Sequence, residues 1–503
     1  MTRHGLLRRA VFLGALFCVA AVIGSPAQTF STLLTFNGVN GANPKSVTLV
    51  QALDGNLYGT TVAGGSTGNC SGGCGTVFKI SLEGRLTTLH NFCSQPDCTE
   101  GMNPQAGVIQ ARDGNFYGTT LGGGTHNGNG TVFKMTPSGT VNTIYSFCAM
   151  QNCADGYSPS GALVQGADGT LYGTTSAGGA KDSGTVFKVT PAGALTTLYS
   201  FCMKSDCPDG ANPIAELTQG ADGSFYGVTS QGGKGSGTIF KITSIGALTT
   251  IYTFCSKSNC TDGGNPKGGL ILAADGSFYG TTFAGGTKGQ GTVFKVTPQG
   301  VLTTLYSFCT GCAEGSALYS TLARGTDGNF YGTAYYGGAK GQGTAFKVIP
   351  PPKATPPSKV TPAWKVTALH SFDNSDPYPV SALMQDTDGN FYGTTADGGI
   401  NPKCLNSAGC GTVFRLSAGL GPFVKLMNAG GPVGSSVIIL GTNLTGATAV
   451  TFNDTAANFK IVSGSEITAT VPTGAISGVV KVTTPNGVLS SNVNFQVVTT
   501  ETR

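Results

Sequence analysis

Apolar and polar residues alternate along this chain in short runs broken by Gly, Pro and Asp-Gly pairs, and the pattern returns every 50-odd residues. In the third copy, the small apolar run 161–167 (Gly-Ala-Leu-Val-Gln-Gly-Ala) ends at Asp168-Gly169, a hairpin turn signal. The run 170–176, Thr-Leu-Tyr-Gly-Thr-Thr-Ser, predicts a second strand closed by Gly178-Gly179. Residues 184–190 predict a third strand that turns at Pro191-Ala192-Gly193, and 195–201 a fourth. Alternation of period two between turn residues describes four antiparallel strands joined by hairpins.

The motif Asp-Gly-(Asn/Ser/Thr)-x-Tyr-Gly marks the repeat. Its aspartates are Asp54, Asp113, Asp168, Asp222, Asp275, Asp327 and Asp388, spaced 59, 55, 54, 53, 52 and 61 residues apart. Each copy is followed by Gly-Thr-(Val/Ile/Ala)-Phe-(Lys/Arg), beginning at Gly75, Gly130, Gly184, Gly237, Gly291, Gly343 and Gly411. A β-patterned repeat of this length predicts an all-β chain whose first part, residues 28–421, is a seven-bladed β-propeller. The outer-strand pattern also occurs early, at Ser31-Thr32-Leu33-Leu34-Thr35-Phe36, whereas the last set, Val380 to Leu416, has none after it. The N-terminal segment is therefore expected to supply the outer strand of the seventh blade, leaving no open seam. The rival architecture, a linear β-solenoid, has no use for a displaced first strand.

Strand direction sorts the loops onto two faces. The Asp-Gly and Thr-Pro-x-Gly turns share one and are short. The Gly-Gly loops and the connections after the outer strands share the other and vary, and variable loops on a rigid scaffold are where binding usually resides. Fourteen cysteines fall there in close pairs: Cys70 with Cys74, Cys93 with Cys98, Cys148 with Cys153, Cys202 with Cys207, Cys255 with Cys260, Cys309 with Cys312 and Cys404 with Cys410. One staple is expected per unit, after the outer strand in units two to six and in the Gly-Gly loop of units one and seven. Local pairs in even number favour disulfides formed in an oxidising compartment. The alternative is zinc, which needs four ligands together, and no pair has a second pair or a His at metal-ligand spacing.

After Gly421 the repeats stop. Gly441-Thr442-Asn443-Leu444-Thr445-Gly446-Ala447 leads into Val450-Thr451-Phe452, and Ile467-Thr468-Ala469-Thr470-Val471-Pro472 precedes Gly478-Val479-Val480-Lys481-Val482-Thr483. This stretch, Pro422 to Val498, resembles the IPT/TIG immunoglobulin-like domains, which implies a β-sandwich over 422–503 used as a spacer or interaction module. The repeats themselves, over Phe30 to Leu416, resemble the GloVer tandem-repeat family of bacterial exported proteins. That resemblance implies fold and location and names no catalytic residue. Pro350 to Pro362 reads as an extended surface excursion.

Composition adds the compartment. Arg3, Arg8 and Arg9 precede the apolar run Ala10 to Gly24, and Ser25-Pro26-Ala27 offers a cleavage site, so residues 1–27 read as a secretory signal. No later segment is long and apolar enough to span a bilayer. The chain ends Thr499-Thr500-Glu501-Thr502-Arg503, without an apolar tail or a basic sorting end. Charged residues are 11% of the chain and the formal charge is +5, three of it in the signal, which leaves no nucleic-acid footprint.

Candidate chemistry is sparse. The turn aspartates suit the Asp-Gly geometry by themselves. Lys79, Lys134, Lys188, Lys241, Lys295, Lys347 and Arg415 lie near the same face and are expected to pair with them. Gln51, Gln110, Gln165, Gln219 and Gln385 precede the aspartates by three and are expected either to hydrogen-bond between blades or to line the central channel. In the variable loops, Lys181, Lys234, Lys288 and Lys340 follow the paired glycines, with His126 in the equivalent place of unit two. Beside Tyr335 and Tyr336 they form a candidate basic arc for an acidic glycan or a protein, against the plainer reading of solvated loop charges. Of four histidines, His4 lies in the signal and His90 and His370 on outer strands. No nucleophile elbow or metal triad is visible, and no cofactor is implied. The expected function is a secreted or cell-surface non-catalytic binding or scaffold protein. The alternatives are a carbohydrate-active lyase or hydrolase on a propeller scaffold and a passive structural element of the envelope.

Overall fold

The computed structural model describes residues 28–45, 48–66, 70–351, 363–399, 404 and 409–498. The expected signal, most of the Pro-rich excursion and the last five residues lie outside that set.

Between Thr29 and Ser417 the strands pair into seven antiparallel sheets of four. The third sheet holds Val164–Gln165, Leu171–Thr175, Thr185–Val189 and Leu195–Ser200, each inside the run that its alternation predicts. The inner strand pairs over only two residues. A Cβ at Gly161 would meet the Ala215 carbonyl oxygen of the next sheet at 2.6 Å, so inner strands approach too closely there for a side chain. The Tyr-Gly pair of the motif has an equally steric cause. Gly173 lies opposite Phe187, and a Cβ on it would sit 2.6 Å from the ring's Cζ.

The aromatic residues of each repeat bind sheet to sheet. Tyr172 stacks on Phe225 of the following sheet at 3.9 Å, and Phe187 meets Phe147 of the preceding one edge-on at 5.1 Å. All four rings are fully buried, which contributes about 1.5–3 kcal/mol per Phe side chain. The core is thus shared between neighbours, and a single repeat cannot bury its own faces.

The first and last repeats join in the same way. Thr29–Thr35 pairs antiparallel with Thr412–Ser417 and is the outer strand of the sheet that also holds Met384–Gln385 and Phe391–Thr395. Thr60, Thr174, Thr281 and Thr333 each donate a hydroxyl to an inner-strand carbonyl of the next sheet, at Ala106, Ala215, Ser320 and Ser381. Thr394 of the last sheet makes that bond to Pro44, at the start of the first, at 2.7 Å.

The turn motif serves the fold. In all seven copies the aspartate Oδ2 accepts the hydroxyl of the motif tyrosine, from Tyr58–Asp54 at 2.9 Å to Tyr392–Asp388 at 2.7 Å. Oδ1 accepts the backbone N–H two residues on, which fixes the hairpin. Five of the expected ion pairs form: Lys79–Asp54, Lys134–Asp113, Lys241–Asp222, Lys295–Asp275 and Lys347–Asp327. Lys188 departs from the expectation, because its ammonium donates to the Ser244 carbonyl of the next sheet at 3.1 Å. Arg415 makes no ion pair among the described residues. The glutamines bridge neighbouring sheets. Gln110, Gln165, Gln219 and Gln385 accept the backbone N–H that precedes the turn aspartate of the sheet before, while Gln51 donates to Thr387 Oγ1 at 2.7 Å.

All seven expected cysteine pairs are joined as disulfides: Cys70 to Cys74, Cys93 to Cys98, Cys148 to Cys153, Cys202 to Cys207, Cys255 to Cys260, Cys309 to Cys312 and Cys404 to Cys410. Their distribution corrects the expected one staple per unit. The first sheet carries one in its Gly-Gly loop, at Cys70 and Cys74, and a second after its outer strand Leu86–Asn91, at Cys93 and Cys98. Staples follow the outer strands of sheets one to five rather than two to six, and none joins the described loops of the sixth. The expectation failed because each staple sits between two sheets and serves the later one. The carbonyls of Cys98, Cys153, Cys207, Cys260 and Cys312 accept the N–H of the second paired glycine in the following sheet, at Gly124, Gly179, Gly233, Gly286 and Gly338. In the two Gly-Gly-loop staples the same role passes to the next turn, where Cys74 and Cys410 accept the N–H of Asn103 and Asn43. The second cysteine of every pair therefore anchors one sheet's loop to its neighbour's backbone.

Residues beyond Phe423 form a β-sandwich. One sheet runs Lys425–Leu426, Ser436–Leu440, Glu466–Thr470, Phe459–Ile461; the other centres on Gly478–Thr484 and Gly487–Val497. Val437, Ile439, Ile467 and Ala469 face Val450, Phe452, Val480, Val482 and Phe495 in its core. This domain sits against the Asp-Gly turns. Ser465 Oγ donates to the Leu53 carbonyl, Arg112 Nε to Asn428 Oδ1, and Thr387 and Thr442 share a hydroxyl bond at 2.9 Å.

Candidate ligand-binding site

A cavity of about 280 Å³ opens where the inner strands of all seven repeats meet, at their stapled-loop end. Each repeat contributes at least one lining residue: Lys45, Gln105, Ser160, Glu216, Lys267, Tyr319 and Val380. Six of these, with Ile214 in place of Glu216, share one repeat position, the third residue of the tight turn that enters the inner strand (Asn43-Pro44-Lys45 is the first). The turn's first residue holds a left-handed backbone, as at Asn43, Asn265 and Tyr378, which brings the third residue to the rim.

One lining residue, Tyr319, begins a chain of rings that runs outward from the cavity. Phe283 and Tyr319 lie 4.9 Å apart, Tyr319 and Tyr335 5.1 Å, and Tyr335 stacks on Tyr378 at 4.8 Å with Tyr336 edge-on at 4.5 Å. The Lys267 ammonium lies 4.5 Å from the Phe283 ring centre and 4.6 Å from that of Tyr319, a cation–π clamp on a partly desolvated charge. Burial draws the Lys267 pKa below the usual lysine value, and the charge of Lys45 pushes it the same way. Burial raises the Asp397 carboxyl against the opposing pull of Lys45. The Tyr335 hydroxyl is pushed up to about 12, first by burial and then by its acidic and phenolic neighbours.

Glu216 faces the two lysines from the fourth repeat. It accepts a short hydrogen bond from Thr321 Oγ1, which itself accepts the Gly269 N–H at 2.7 Å, so the carboxylate is held by the fifth and sixth repeats. The cavity therefore combines a fixed carboxylate, two ammonium groups and the ring of Tyr319. Glu216 is the one carboxylate lining it among the described residues. Charge, hydroxyl and ring face thus stand together around one polar space.

The residues singled out by the sequence divide into two groups. Tyr335 and Tyr336 belong to the chain of rings that starts at Tyr319. Lys181, Lys234, Lys288, Lys340 and His126 are exposed, one to a sheet. Lys288, for example, lies 5.6 Å from the ring of Tyr306 on its own sheet's outer strand, and His126 shares a shallow cleft with Tyr145. Lys45, Glu216, Lys267, Tyr319 and Tyr378 had not been singled out, although one signal was available: the third turn position changes from Lys to Gln, Ser, Ile, Lys, Tyr and Val while its surroundings repeat.

The cysteine pairs stand clear of this cavity, but two of them meet. The sulfur atoms of Cys70, Cys74, Cys93 and Cys98 lie within 4.8 Å of one another, so pairs distant in sequence do come together in space. Intact mass under non-reducing conditions, with and without prior reduction, is expected to show seven disulfides and no bound zinc. A native mass with one zinc and five disulfides would show that this cluster holds a metal instead.

No curated protein matches the sequence. Among solved structures, similarity extends to the extracellular domains of two putative hybrid two component systems from B. thetaiotaomicron. The first has TM-score 0.46 and 12% identity over 93% of this chain and 57% of that one. The second has TM-score 0.47 and 10% identity over 94% and 59%; this chain spans little more than half the length of either. A fungal alcohol oxidase of the AA5 family, in complex with copper, aligns with TM-score 0.48 and 13% identity over 94% of this chain and 99% of that one. The Gloeobacter/Verrucomicrobia repeat matches residues 13–154, 68–270 and 252–453, and an IPT/TIG domain matches 422–497. The chain thus belongs to the Gloeobacter/Verrucomicrobia repeat family and carries an IPT/TIG domain after its repeats.

Proposed function

We propose that this is an exported binding protein, a closed seven-bladed propeller over residues 28–421, which takes a glycan end in the cavity at its axis. Ring closure is supported by the strand Thr29–Thr35 in the last sheet and by the Thr394–Pro44 and Gln51–Thr387 bonds. Export is supported by the seven disulfides. The observation that carries the ligand class is the Lys267–Tyr319 clamp, which lines the cavity together with Glu216, while Tyr335 and Tyr378 extend the rings outward from Tyr319. Sugar rings present apolar C–H faces to aromatic side chains and hydroxyls to charged ones, and two ammonium groups against one carboxylate favour an acidic sugar.

A glycan array with the purified chain is expected to show binding to uronate- or sialate-bearing glycans. Replacing Tyr319 and Lys267 by Ala is expected to weaken that binding at least tenfold, roughly the effect of removing one well-packed anchor. Unchanged binding in both variants, or release of cleaved product from a polysaccharide panel, would count against this reading.

A further inference from the structure

Beneath that cavity lies a second chamber of about 320 Å³. Its walls are apolar: Val50, Ile109, Val164, Leu217 and Met384 line it from the inner strands. Thr48, Gly107, Ala162 and Glu216 line both spaces, so the two are contiguous, with Glu216 at their junction. Lys425, the first residue of the opening strand of the IPT/TIG domain, lines it too.

The backbone holds Lys425 in that place. The Phe423 N–H bonds to Thr387 in the last repeat, and the Val424 N–H to Ser490 inside the sandwich, so the strand is tied to both domains. Lys425 pairs only with Leu440 and makes no side-chain hydrogen bond among the described residues. Its ionisable neighbour is Asp386, and burial depresses the Lys425 pKa. An ammonium group against hydrocarbon walls is costly unless an anion meets it.

We infer that this chamber binds a small aliphatic carboxylate, with its anionic end on the Lys425 ammonium and its chain along Val50, Ile109, Val164, Leu217 and Met384. The sign follows from the two ends of the chamber: Lys425 attracts the carboxylate and Glu216 repels it. The size follows from the volume, which is that of about ten water molecules at ~30 Å³ each and suits a chain of comparable heavy-atom number. The site requires neither Lys267 nor Tyr319, so it stands or falls apart from glycan binding at the rim. It would make the IPT/TIG domain part of a ligand site, rather than a spacer.

Titration calorimetry of the full chain with hexanoate, hexanol and hexylammonium tests the inference. Hexanoate is expected to bind, hexanol at least tenfold more weakly, and hexylammonium not at all. Lys425→Met, which keeps the side-chain length, is expected to lose at least tenfold in hexanoate affinity. Val164→Trp fills the chamber without touching the charge and is expected to abolish binding, which covers the case of a poorly folded Lys425→Met. No heat from hexanoate at millimolar concentration, equal binding of hexanoate and hexylammonium, or full affinity in the Val164→Trp protein would overturn it.

Discussion

Deleting residues 28–35 is expected to cost on the order of 5 kcal/mol or more, the whole stability of an ordinary domain. The segment pairs with Thr412–Ser417 along its length, and its removal bares that strand as an edge. It also removes Phe30, which stacks on His370 at 3.6 Å and packs against Phe372 and Phe414 at 5.5 and 5.4 Å. Leu33 and Leu34 leave the core where the last sheet meets the first. The deleted protein is expected to be poorly soluble and to lack a cooperative melt, while Phe30→Ala alone, at a partly buried ring, costs about 1–2 kcal/mol. A deletion variant that melts cooperatively at the wild-type temperature would refute the assignment of this strand as the closing element.

The second large effect concerns Asp386. It is fully buried at the junction with the IPT/TIG domain, and its Oδ2 has no hydrogen-bond partner. Burial first, and then the charge of Asp388, push its pKa from 3.8 to about 7, against the pull of Lys425. The native state therefore holds a proton that the unfolded chain has released between about pH 4 and 7. Stability falls as pH rises through that window, and the full penalty stands above it. Asp386→Asn keeps the acceptor for the Asp388 N–H and removes the charge. Denaturant unfolding at pH 8 is expected to find the variant more stable by on the order of 2–4 kcal/mol, converging with wild type near pH 4. Equal stability at pH 8 would show that Lys425 neutralises Asp386 completely.

Much of this architecture is local and therefore readable from residues close in sequence. Asp-Gly turns, tyrosine-glycine pairs and Gly-Thr-x-Phe runs set strand length, register and hairpin geometry within each repeat, and all seven recur. The cysteine pairs are local in the same sense, and their pairing follows from spacing alone. The glutamines needed one further step, since their spacing was compatible with a channel lining or a bridge between sheets, and Gln110 and Gln165 bridge. The distribution of staples differs from the expected one because a loop's place in the sequence does not say which sheet it serves. Cys153, for example, follows the second sheet's outer strand but holds Gly179 of the third.

The sequence by itself determined the number of repeats, their strands, the turn chemistry, the early outer strand and the IPT/TIG segment that follows the repeats. Only the tertiary structure decided where the chemistry converges. Lys45, Glu216, Lys267 and Tyr319 come from four repeats and meet because every inner strand starts at one cavity, so no window of contiguous sequence contains their proximity. The gathering of Cys70, Cys74, Cys93 and Cys98 and the entry of Lys425 into the lower chamber have the same cause. Repetition fixes what each unit looks like, whereas a site made from the differences between units exists only once they are packed side by side.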